Sequence, residues 1–350
     1  MTEISPGKLL GLHRLADEHG RFKMLAVDQR PPIEKLVMAG RNSDEPAFDD
    51  VAGVKTALIR SLADNASAVL LDPQYVFPTA VPLLPNRIGL LITLEDDSFE
   101  ETKSGRLSSP IPDWDVAKIR ASGGDAVKVL AWYRPDASER VREHQMEFVK
   151  EIGDDCTRHD IPFVFELLLY PFPGEESHTT DYVEDPAKRA DHVIESVETF
   201  ADETFGIDLF KLESPVPTSA VAGPDALEEA TLSASFKELD RAAGRPWVML
   251  SAGADPGSFF RILELAFDAG ASGYLAGRAI WWDSCKTHFP DWKAMDKALE
   301  TSSVPYMEDI NELTDNRALP WTDHPVFGEE GPRPPDAGAD FRRNYLRGNG

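Results

Sequence analysis

The sequence has few of the features that mark secreted, membrane-spanning or disulfide-stabilised proteins. Only two of its 350 residues are cysteines, Cys156 and Cys285, and they form neither a CxxC pair nor a disulfide framework. Such low cysteine usage is typical of the reducing cytoplasm. No stretch approaches the roughly 20 apolar residues that a membrane helix needs, and the polar start MTEISP shows no secretory signal. We therefore expect a cytoplasmic globular protein.

Basic residues are also scarce. The chain has 36 lysines and arginines against 61 aspartates and glutamates, which gives a formal net charge of −25. A nucleic acid or an anionic membrane must be met by clustered lysine and arginine. The composition therefore predicts neither of them as a partner, and an anionic substrate would need a local cationic pocket inside this acidic body.

Eight short apolar runs alternate with amphipathic stretches of helical length along most of the chain. Runs rich in Val, Ile, Leu and Phe are typical of strands that are buried on both faces, as in parallel sheets. The predicted strands cover residues 22–27, 68–71, 88–94, 126–132, 162–169, 207–212, 247–250 and 273–276. The predicted helices, in which apolar residues recur at spacings of three and four, cover residues 50–65, 137–159, 185–205, 224–243 and 256–269.

This alternation predicts an α/β fold, a (β/α)₈ TIM barrel over residues 1–285. The rival fold, a doubly wound open sheet, has little support, because no GxGxxG follows the first strand and nothing requires the strand order to reverse. Residues 286–350 are predicted to form a C-terminal extension, with a helix over 291–299 and a Pro-rich extended tail from 304 onward, packed on the barrel or on a neighbouring subunit. The prolines that disfavour long helices in this tail are Pro320, Pro325, Pro332, Pro334 and Pro335.

Three charged residues interrupt predicted strands that are otherwise apolar. Lys128 lies in the fourth strand, Glu166 in the fifth and Lys211 in the sixth. Either lysine taken singly is better explained by a stem that lies along a helix. Three charges on neighbouring strands, however, are costly to bury unless they pair with one another. We therefore predict that all three point into the barrel, near the carboxyl ends of the strands where the chemistry of such barrels takes place.

These residue types suit the cleavage of a carbon–carbon bond through a Schiff base. A lysine that is desolvated beside another cation has a lowered pKa, and its neutral amine attacks a ketose carbonyl to give an iminium that accepts electrons. A neighbouring carboxylate then takes the proton from the hydroxyl across the breaking bond. Lys211 and Lys128 with Glu166 supply this set.

The ends of the last two strands have the composition of a phosphate site. Ser251 and Gly253 precede a predicted helix start near Asp255, where backbone N–H groups and the helix N-terminus favour an anion. Gly277 and Arg278 follow the eighth strand, and a guanidinium can bind phosphate through two parallel hydrogen bonds. Each half is a weak signal, but the two at successive strand ends predict phosphate binding there.

A metal-dependent mechanism is not expected. None of the eight histidines lies at a predicted strand end, and no pair has ligand spacing within one element. A magnesium site that uses Asp28 and Asp72 stays open, although Asp72 is better explained as a turn residue before Pro73. We predict neither a metal nor any other cofactor.

Seven segments occur in a familiar order along residues 20–285. They are MLAVDQR (24–30), LLDPQY (70–75), VKV (127–129), FEL (165–167), FKLE (210–213), LSAG (250–253) and AGR (276–278). With this ordered set the chain resembles the tagatose-1,6-bisphosphate aldolase family of class I aldolases, which includes the sulfofructose-phosphate aldolases.

The resemblance implies a Schiff base on Lys211, proton transfer by Glu166 and assistance by Lys128. It also implies that Asp28 belongs to the catalytic set and holds substrate hydroxyls together with Gln29. The remaining residues expected to bind substrate are Arg30, beside that pair, and the phosphate residues Ser251, Gly253, Gly277 and Arg278.

Three functions are therefore weighed. The first is an aldolase that cleaves a ketose 1-phosphate or 1,6-bisphosphate to dihydroxyacetone phosphate and an aldehyde. The second is a phosphosugar isomerase or epimerase with Glu166 as base, and the third is a regulator that senses a sugar phosphate. In each case the expected partner is a phosphorylated sugar. The sequence leaves open the distal group of that sugar and whether the chain forms a homo-oligomer.

Overall fold

The fold is a closed barrel of eight parallel strands. The computed structural model describes residues 3–223, 226–335 and 338–345. Around the barrel the strand order is β1-β2-β3-β6-β7-β8-β9-β10, and β10 pairs with β1 to close it. All eight predicted strands and the (β/α)₈ barrel are thus confirmed. The strands are β1 (Phe22–Ala26), β2 (Ala68–Leu71), β3 (Gly89–Thr93), β4 (Glu100–Thr102), β5 (Gly105–Leu107), β6 (Ala126–Trp132), β7 (Phe163–Leu168), β8 (Leu209–Leu212), β9 (Trp247–Met249) and β10 (Gly273–Ala276).

Helices surround the barrel and cover the outward-facing side chains of its strands. In the described part of the chain, no helix is both long and apolar enough to cross a membrane. The helices are α1 (Pro6–Leu15), α2 (Pro31–Arg41), α3 (Phe48–Leu62), α4 (Phe77–Ala80), α5 (Val116–Ala121), α6 (Glu139–Arg158), α7 (Ala190–Phe200), α8 (Thr218–Val221), α9 (Glu229–Ala243), α10 (Pro256–Ala269), α11 (Arg278–His288), α12 (Trp292–Ala298), α13 (Val304–Arg317) and α14 (Phe341–Asn344).

The five predicted helices correspond to α3, α6, α7, α9 and α10, but most are shorter than predicted. Helix α7 begins five residues later than expected, because residues 185–189 form a turn in which the Lys188 N–H donates to the Asp185 carbonyl. The predicted start of the fourth helix, at residues 224 and 225, lies outside the described residues. Helix α10 begins and ends as predicted.

Strand alternation sorts the core into an interior and an exterior layer. In β6, β7 and β8 the first inward-facing residues are Ala126, Val164 and Leu209, which cluster with apolar side chains of the other strands. Their neighbours Val127, Phe165 and Phe210 belong to the cluster that lies under the helices. Since side chains repeat every two residues along a strand, the residues two positions after the inward-facing ones also point inside. Those residues are Lys128, Glu166 and Lys211.

The C-terminal region differs from the predicted extended arm. It begins with α12 and then α13, a helix of 14 residues that carries the buried side chains Met307 and Ile310. The five prolines that argued against a helix all follow α13, and Pro305 lies in its first turn, where a missing N–H costs little. Arg317 at the end of α13 forms ion pairs with Glu264 and Asp268 of α10.

The loop that follows β3 contains the hairpin β4–β5, which the sequence patterns did not reveal. Arg106 of this hairpin is 1% exposed. Its guanidinium lies 4.3 Å from the ring centre of Phe99, 4.6 Å from that of Trp132 and 4.8 Å from that of Tyr170. It also donates to the carbonyl of Thr179. The hairpin is thereby joined to the loop that follows β7.

Candidate active site

A buried network of charges lies inside the barrel at the carboxyl ends of its strands. The Lys128 ammonium, only 2% exposed, is at its centre. Its Nζ lies 3.0 Å from Asp28 Oδ2, 2.5 Å from Glu95 Oε1 and 2.7 Å from Glu166 Oε2. Glu95 Oε2 in turn accepts a hydrogen bond from Thr93 at 2.5 Å. Four strands thus contribute to one cluster around a single ammonium group.

Glu166 is shared by two lysines. Its Oε2 atom also lies 2.9 Å from Lys211 Nζ, and the two residues are register partners on β7 and β8. Two residues that are register partners on adjacent strands, and that both face the barrel interior, have neighbouring side chains. The three charged residues predicted from apolar strands therefore meet.

The charges in this network set the protonation states of its members. Burial opposes ionisation of Glu166, but the ammonium groups of Lys128 and Lys211 outweigh it and lower the pKa of the carboxyl. The same balance, with Lys128 again the strongest cation, lowers the pKa of Asp28. Burial alone would lower the pKa of Lys128, yet the carboxylates of Asp28, Glu166 and Glu95 raise it well above its ordinary value. Lys128 is therefore an ammonium at neutral pH, and both acids are carboxylates.

Residues 28–30, which follow β1 after Val27, line the same cavity and carry unused hydrogen-bonding capacity. Asp28 Oδ1, Gln29 Oε1 and Arg30 Nε are buried and make no hydrogen bond with the described residues. A buried polar atom without a partner is costly, so these atoms are suited to meet polar groups of a substrate. Arg30 is held in place because its Nη2 donates to the Glu95 carbonyl at 3.0 Å.

The opposite wall is formed by the ends of β9 and β10. Ser251, Gly277 and Arg278 line the cavity, and Arg278 forms no ion pair with a described carboxylate. Gly253 has a φ of 88°, and a Cβ atom there would lie 3.4 Å from the Arg278 guanidinium. Glycine therefore lets this loop adopt left-handed backbone geometry close to the guanidinium. Arg278 also faces a second cavity of about 480 Å³, which continues outward from the first.

The helix end at which the sequence predicts an anion already carries a carboxylate. Asp255 caps α10 with its own carboxylate, which accepts from Ser258 N at 3.0 Å, and this negative charge works against a second anion there. Helix α11 begins at Arg278 after Gly277 and has no side-chain cap. Its free N–H groups and positive dipole end lie beside the Arg278 guanidinium.

Comparison with known proteins agrees with this geometry. The family model described as DeoC/LacD family aldolase matches residues 22–283. The tagatose 1,6-diphosphate aldolase of Streptococcus agalactiae serotype V is 32% identical over 317 residues, which cover 89% of this chain and 96% of that protein. That of Lactococcus lactis subsp. lactis is 31% identical over 327 residues, 91% of this chain and 99% of the relative. The chain belongs to the DeoC/LacD aldolase family.

Membership in this family confirms the resemblance seen in the sequence and, with it, the prediction of a class I, Schiff-base-forming aldolase. The isomerase and regulator alternatives are not favoured. A solved structure of an archaeal fructose 1,6-bisphosphate aldolase is similar with a TM-score of 0.56 and 16% identity, covering 88% of this chain and 98% of that one. At that identity the likeness concerns the fold, and it agrees with the closed barrel.

Several residues of the aldolase site were missed in the sequence. Glu95 directly follows the predicted third strand (residues 88–94), at the start of the loop after β3, so its position at a strand end could have marked it as a candidate. Asp97 lies in the same loop, and its place in the cavity wall has no local signal. Tyr182 and Val183 line the cavity from the loop after β7 and depend on long-range contacts, such as that of the Tyr182 hydroxyl with the Asp97 carbonyl at 2.6 Å.

Asp72 is the turn residue that the sequence favoured. Its Oδ1 accepts from the N–H groups of Gln74 and Tyr75, and its Oδ2 pairs with the fully buried Lys55. Asp72 does not line the cavity. Among the described residues, no three His, Cys, Asp or Glu side chains are grouped so that they could hold a metal ion. Asp28, Glu95 and Glu166 surround the Lys128 ammonium.

Proposed function

We propose that this aldolase cleaves a ketose that carries a phosphate on carbon one, with Lys211 as the Schiff-base lysine, and releases dihydroxyacetone phosphate and an aldehyde. The observation that carries the proposal is the Lys211–Glu166 pair. A primary amine and a carboxylate lie 2.9 Å apart inside the barrel, beside a second ammonium on Lys128 that three carboxylates hold in its charged form.

The chemistry follows from these three groups. Lys211 passes a proton to Glu166, and the neutral amine then attacks the carbon-two carbonyl. Glu166 returns this proton to the carbinolamine hydroxyl, which leaves as water and gives an iminium. Glu166, a carboxylate at neutral pH, takes the proton from the carbon-four hydroxyl. The bond between carbons three and four then breaks, the aldehyde leaves, and the bonding electrons pass into the iminium as an enamine. Protonation of carbon three and hydrolysis release dihydroxyacetone phosphate and restore Lys211.

The other residues hold the substrate. Lys128 keeps a positive charge beside the oxygens that change charge during cleavage, and Asp28 and Gln29 offer buried acceptors to sugar hydroxyls. Arg278 and the uncapped start of α11 receive the carbon-one phosphate, since a phosphate at such a helix end gains both N–H donors and the dipole. The relatives' names, tagatose 1,6-diphosphate aldolase, support a ketose phosphate. We assign the reaction to the cytoplasm, because Cys156 and Cys285 are both unpaired.

Borohydride trapping tests the proposal. The protein is incubated with dihydroxyacetone phosphate, reduced with borohydride and digested for mass spectrometry. We expect the adduct on Lys211, its loss in Lys211→Ala, and its retention in the control variant Lys150→Ala, whose lysine is exposed on α6. An adduct on Lys128 would contradict the assignment, and catalytic turnover without any trapped adduct would favour an isomerase or another non-covalent mechanism.

A further inference from the structure

The two ends of the active-site cavity differ in their charge, and this difference bears on the substrate. If the carbon-one phosphate binds beside Arg278 and carbon two reacts at Lys211, the barrel order carries the rest of the sugar from β8 past β7 and β6 toward β3. Carbon four then lies at Glu166. The distal carbons meet the segment that follows β3, which contains Asp97.

The distal wall has little free positive charge. Arg30 is its nearest guanidinium, but its Nη2 already donates to the Glu95 carbonyl and its Nη1 lies 3.5 Å from Asp97 Oδ1. Arg106 is 1% exposed and its guanidinium is stacked on aromatic rings, so it does not reach the cavity. Lys128 is fully engaged by three carboxylates.

The charge balance of the whole cavity also disfavours a second phosphate at the distal end. Its lining holds four cationic and four acidic side chains, a formal sum of zero. The carbon-one phosphate already takes the one guanidinium that forms no ion pair with a described carboxylate, that of Arg278. A second phosphate at the distal end would lie beside the Asp97 carboxylate, whose side chain is 25% exposed. Burying like charges together without an unpaired cation is unfavourable.

The distal wall is well suited to a hydroxyl group instead. A hydroxyl both donates and accepts one hydrogen bond or more. The Asp97 carboxylate is an acceptor at this wall, and the buried Arg30 Nε is a donor without a partner among the described residues. One uncharged hydroxyl can therefore satisfy both groups.

We infer that Asp97 is a specificity-determining residue, which selects ketose 1-phosphates with an uncharged, hydroxyl-bearing distal end over ketose 1,6-bisphosphates. The inference rests on the proposed function for the position of carbon one. It departs from the bisphosphate in the relatives' names, and the reason is the carboxylate that this chain places at the distal wall.

The test compares kcat/KM for a matched pair of substrates, tagatose 1-phosphate and tagatose 1,6-bisphosphate, in the wild type and in variants. We expect the wild type to favour the monophosphate by about tenfold or more, the worth of one charge-assisted contact. Asp97→Asn should raise kcat/KM for the bisphosphate by about tenfold. It should lower kcat/KM for the monophosphate by about a few-fold, because the amide oxygen is a weaker acceptor for the distal hydroxyl than the carboxylate. Glu100→Gln removes one charge from the same loop outside the cavity, and we expect it to change neither value.

Two further measurements distinguish a failure of the inference about Asp97 from a failure of the proposed function. Arg278→Ala should lower kcat/KM for both substrates alike, by about one to two decades, because both carry the carbon-one phosphate. Borohydride trapping of dihydroxyacetone phosphate on Lys211 should be the same in the wild type and in Asp97→Asn. A trapped adduct together with a wild-type preference for the bisphosphate, or an equal response of both substrates to Asp97→Asn, would overturn the inference and leave the proposed function standing. Without a trapped adduct both proposals fall.

Discussion

Glu166 combines two properties that the proposed aldolase base needs. It is buried, which keeps water from the proton it takes, and it lies between the ammonium groups of Lys128 and Lys211, which lower its pKa. Burial without cations would have the opposite effect and would hold the carboxyl protonated. The two lysines therefore determine that this acid is a base at neutral pH.

Replacement of Glu166 by glutamine should separate imine formation from cleavage. Glutamine keeps the size of the side chain but cannot take a proton, so we expect kcat to fall by about 10²- to 10⁴-fold, while the borohydride adduct of dihydroxyacetone phosphate still forms on Lys211. Steady-state cleavage assays and mass spectrometry measure the two steps. Near-normal turnover in Glu166→Gln would remove this residue from the mechanism.

At the scale of elements, the loop of residues 170–189 covers the site and is anchored by one buried lysine. Lys188 Nζ lies 2.9 Å from Glu213 Oε2 and 2.7 Å from Glu184 Oε1. Glu213 follows β8, the strand of Lys211, and also accepts from the Leu169 N–H at 2.7 Å. The Glu184 N–H donates to the carbonyl of Ala252 at 3.3 Å. The cluster thus joins the loop of residues 170–189, β8 and the loop that follows β9.

Lys188→Met should destabilise both the loop of residues 170–189 and the fold as a whole. Removing one partner of a buried ion pair leaves uncompensated charge and costs about 3–5 kcal/mol, so we expect a large drop in the free energy of unfolding measured by urea titration. KM should rise more than kcat falls, because the loop contributes to the cavity wall. Adding Glu213→Gln should restore part of both losses. Lys150→Met, which breaks the exposed pair with Asp154, should cost less than about 1 kcal/mol, and an equal loss in the two lysine variants would argue against an anchoring role.

At the scale of the whole molecule, the C-terminal segment closes the end of the barrel opposite to the active site. Trp321 is fully buried and packs on Phe22 at the start of β1 and on Phe327. The His324 ring lies between them in sequence and accepts the Val326 N–H through Nδ1 at 3.2 Å. Since a ring nitrogen accepts only when it carries no proton, this contact requires neutral histidine.

The stability of this closure should depend on pH. Burial lowers the pKa of His324 below its ordinary value of 6.5. The unfolded chain therefore takes up the proton first as the pH falls, so the contribution of His324 is complete above pH 6.5 and is lost below it. His324→Asn keeps an acceptor for the Val326 N–H but does not titrate. We expect the decrease in Tm between pH 7 and pH 5 to be smaller in this variant than in the wild type.

The exposed His19 provides the control for that measurement. His19→Asn should leave the pH dependence of Tm as it is in the wild type. If Tm decreases equally between pH 7 and pH 5 in the wild type and in His324→Asn, other groups determine the acid sensitivity of the fold.

The barrel and its central charges could be predicted because their signals are local. An apolar run marks a strand buried on both faces, and a charge inside such a run is costly unless it serves a purpose. These two rules predict all eight strands and place Lys128, Glu166 and Lys211 together inside the barrel. The prediction of an extended tail from residue 304 was wrong for α13, because the prolines on which it depended all lie after that helix.

The other residues of the candidate site were positioned by contacts between distant parts of the chain. Asp97 became a cavity residue because long-range contacts, such as that of the Tyr182 hydroxyl with the Asp97 carbonyl, fix the loop after β3, and nothing in the local sequence records that packing. By contrast, the carboxylate that caps α10 is a local feature, because Asp255 directly precedes that helix. Short-range patterns determine which segments become strands and which charges point inward, but the path of a loop is decided by long-range contacts that form only when the barrel has closed.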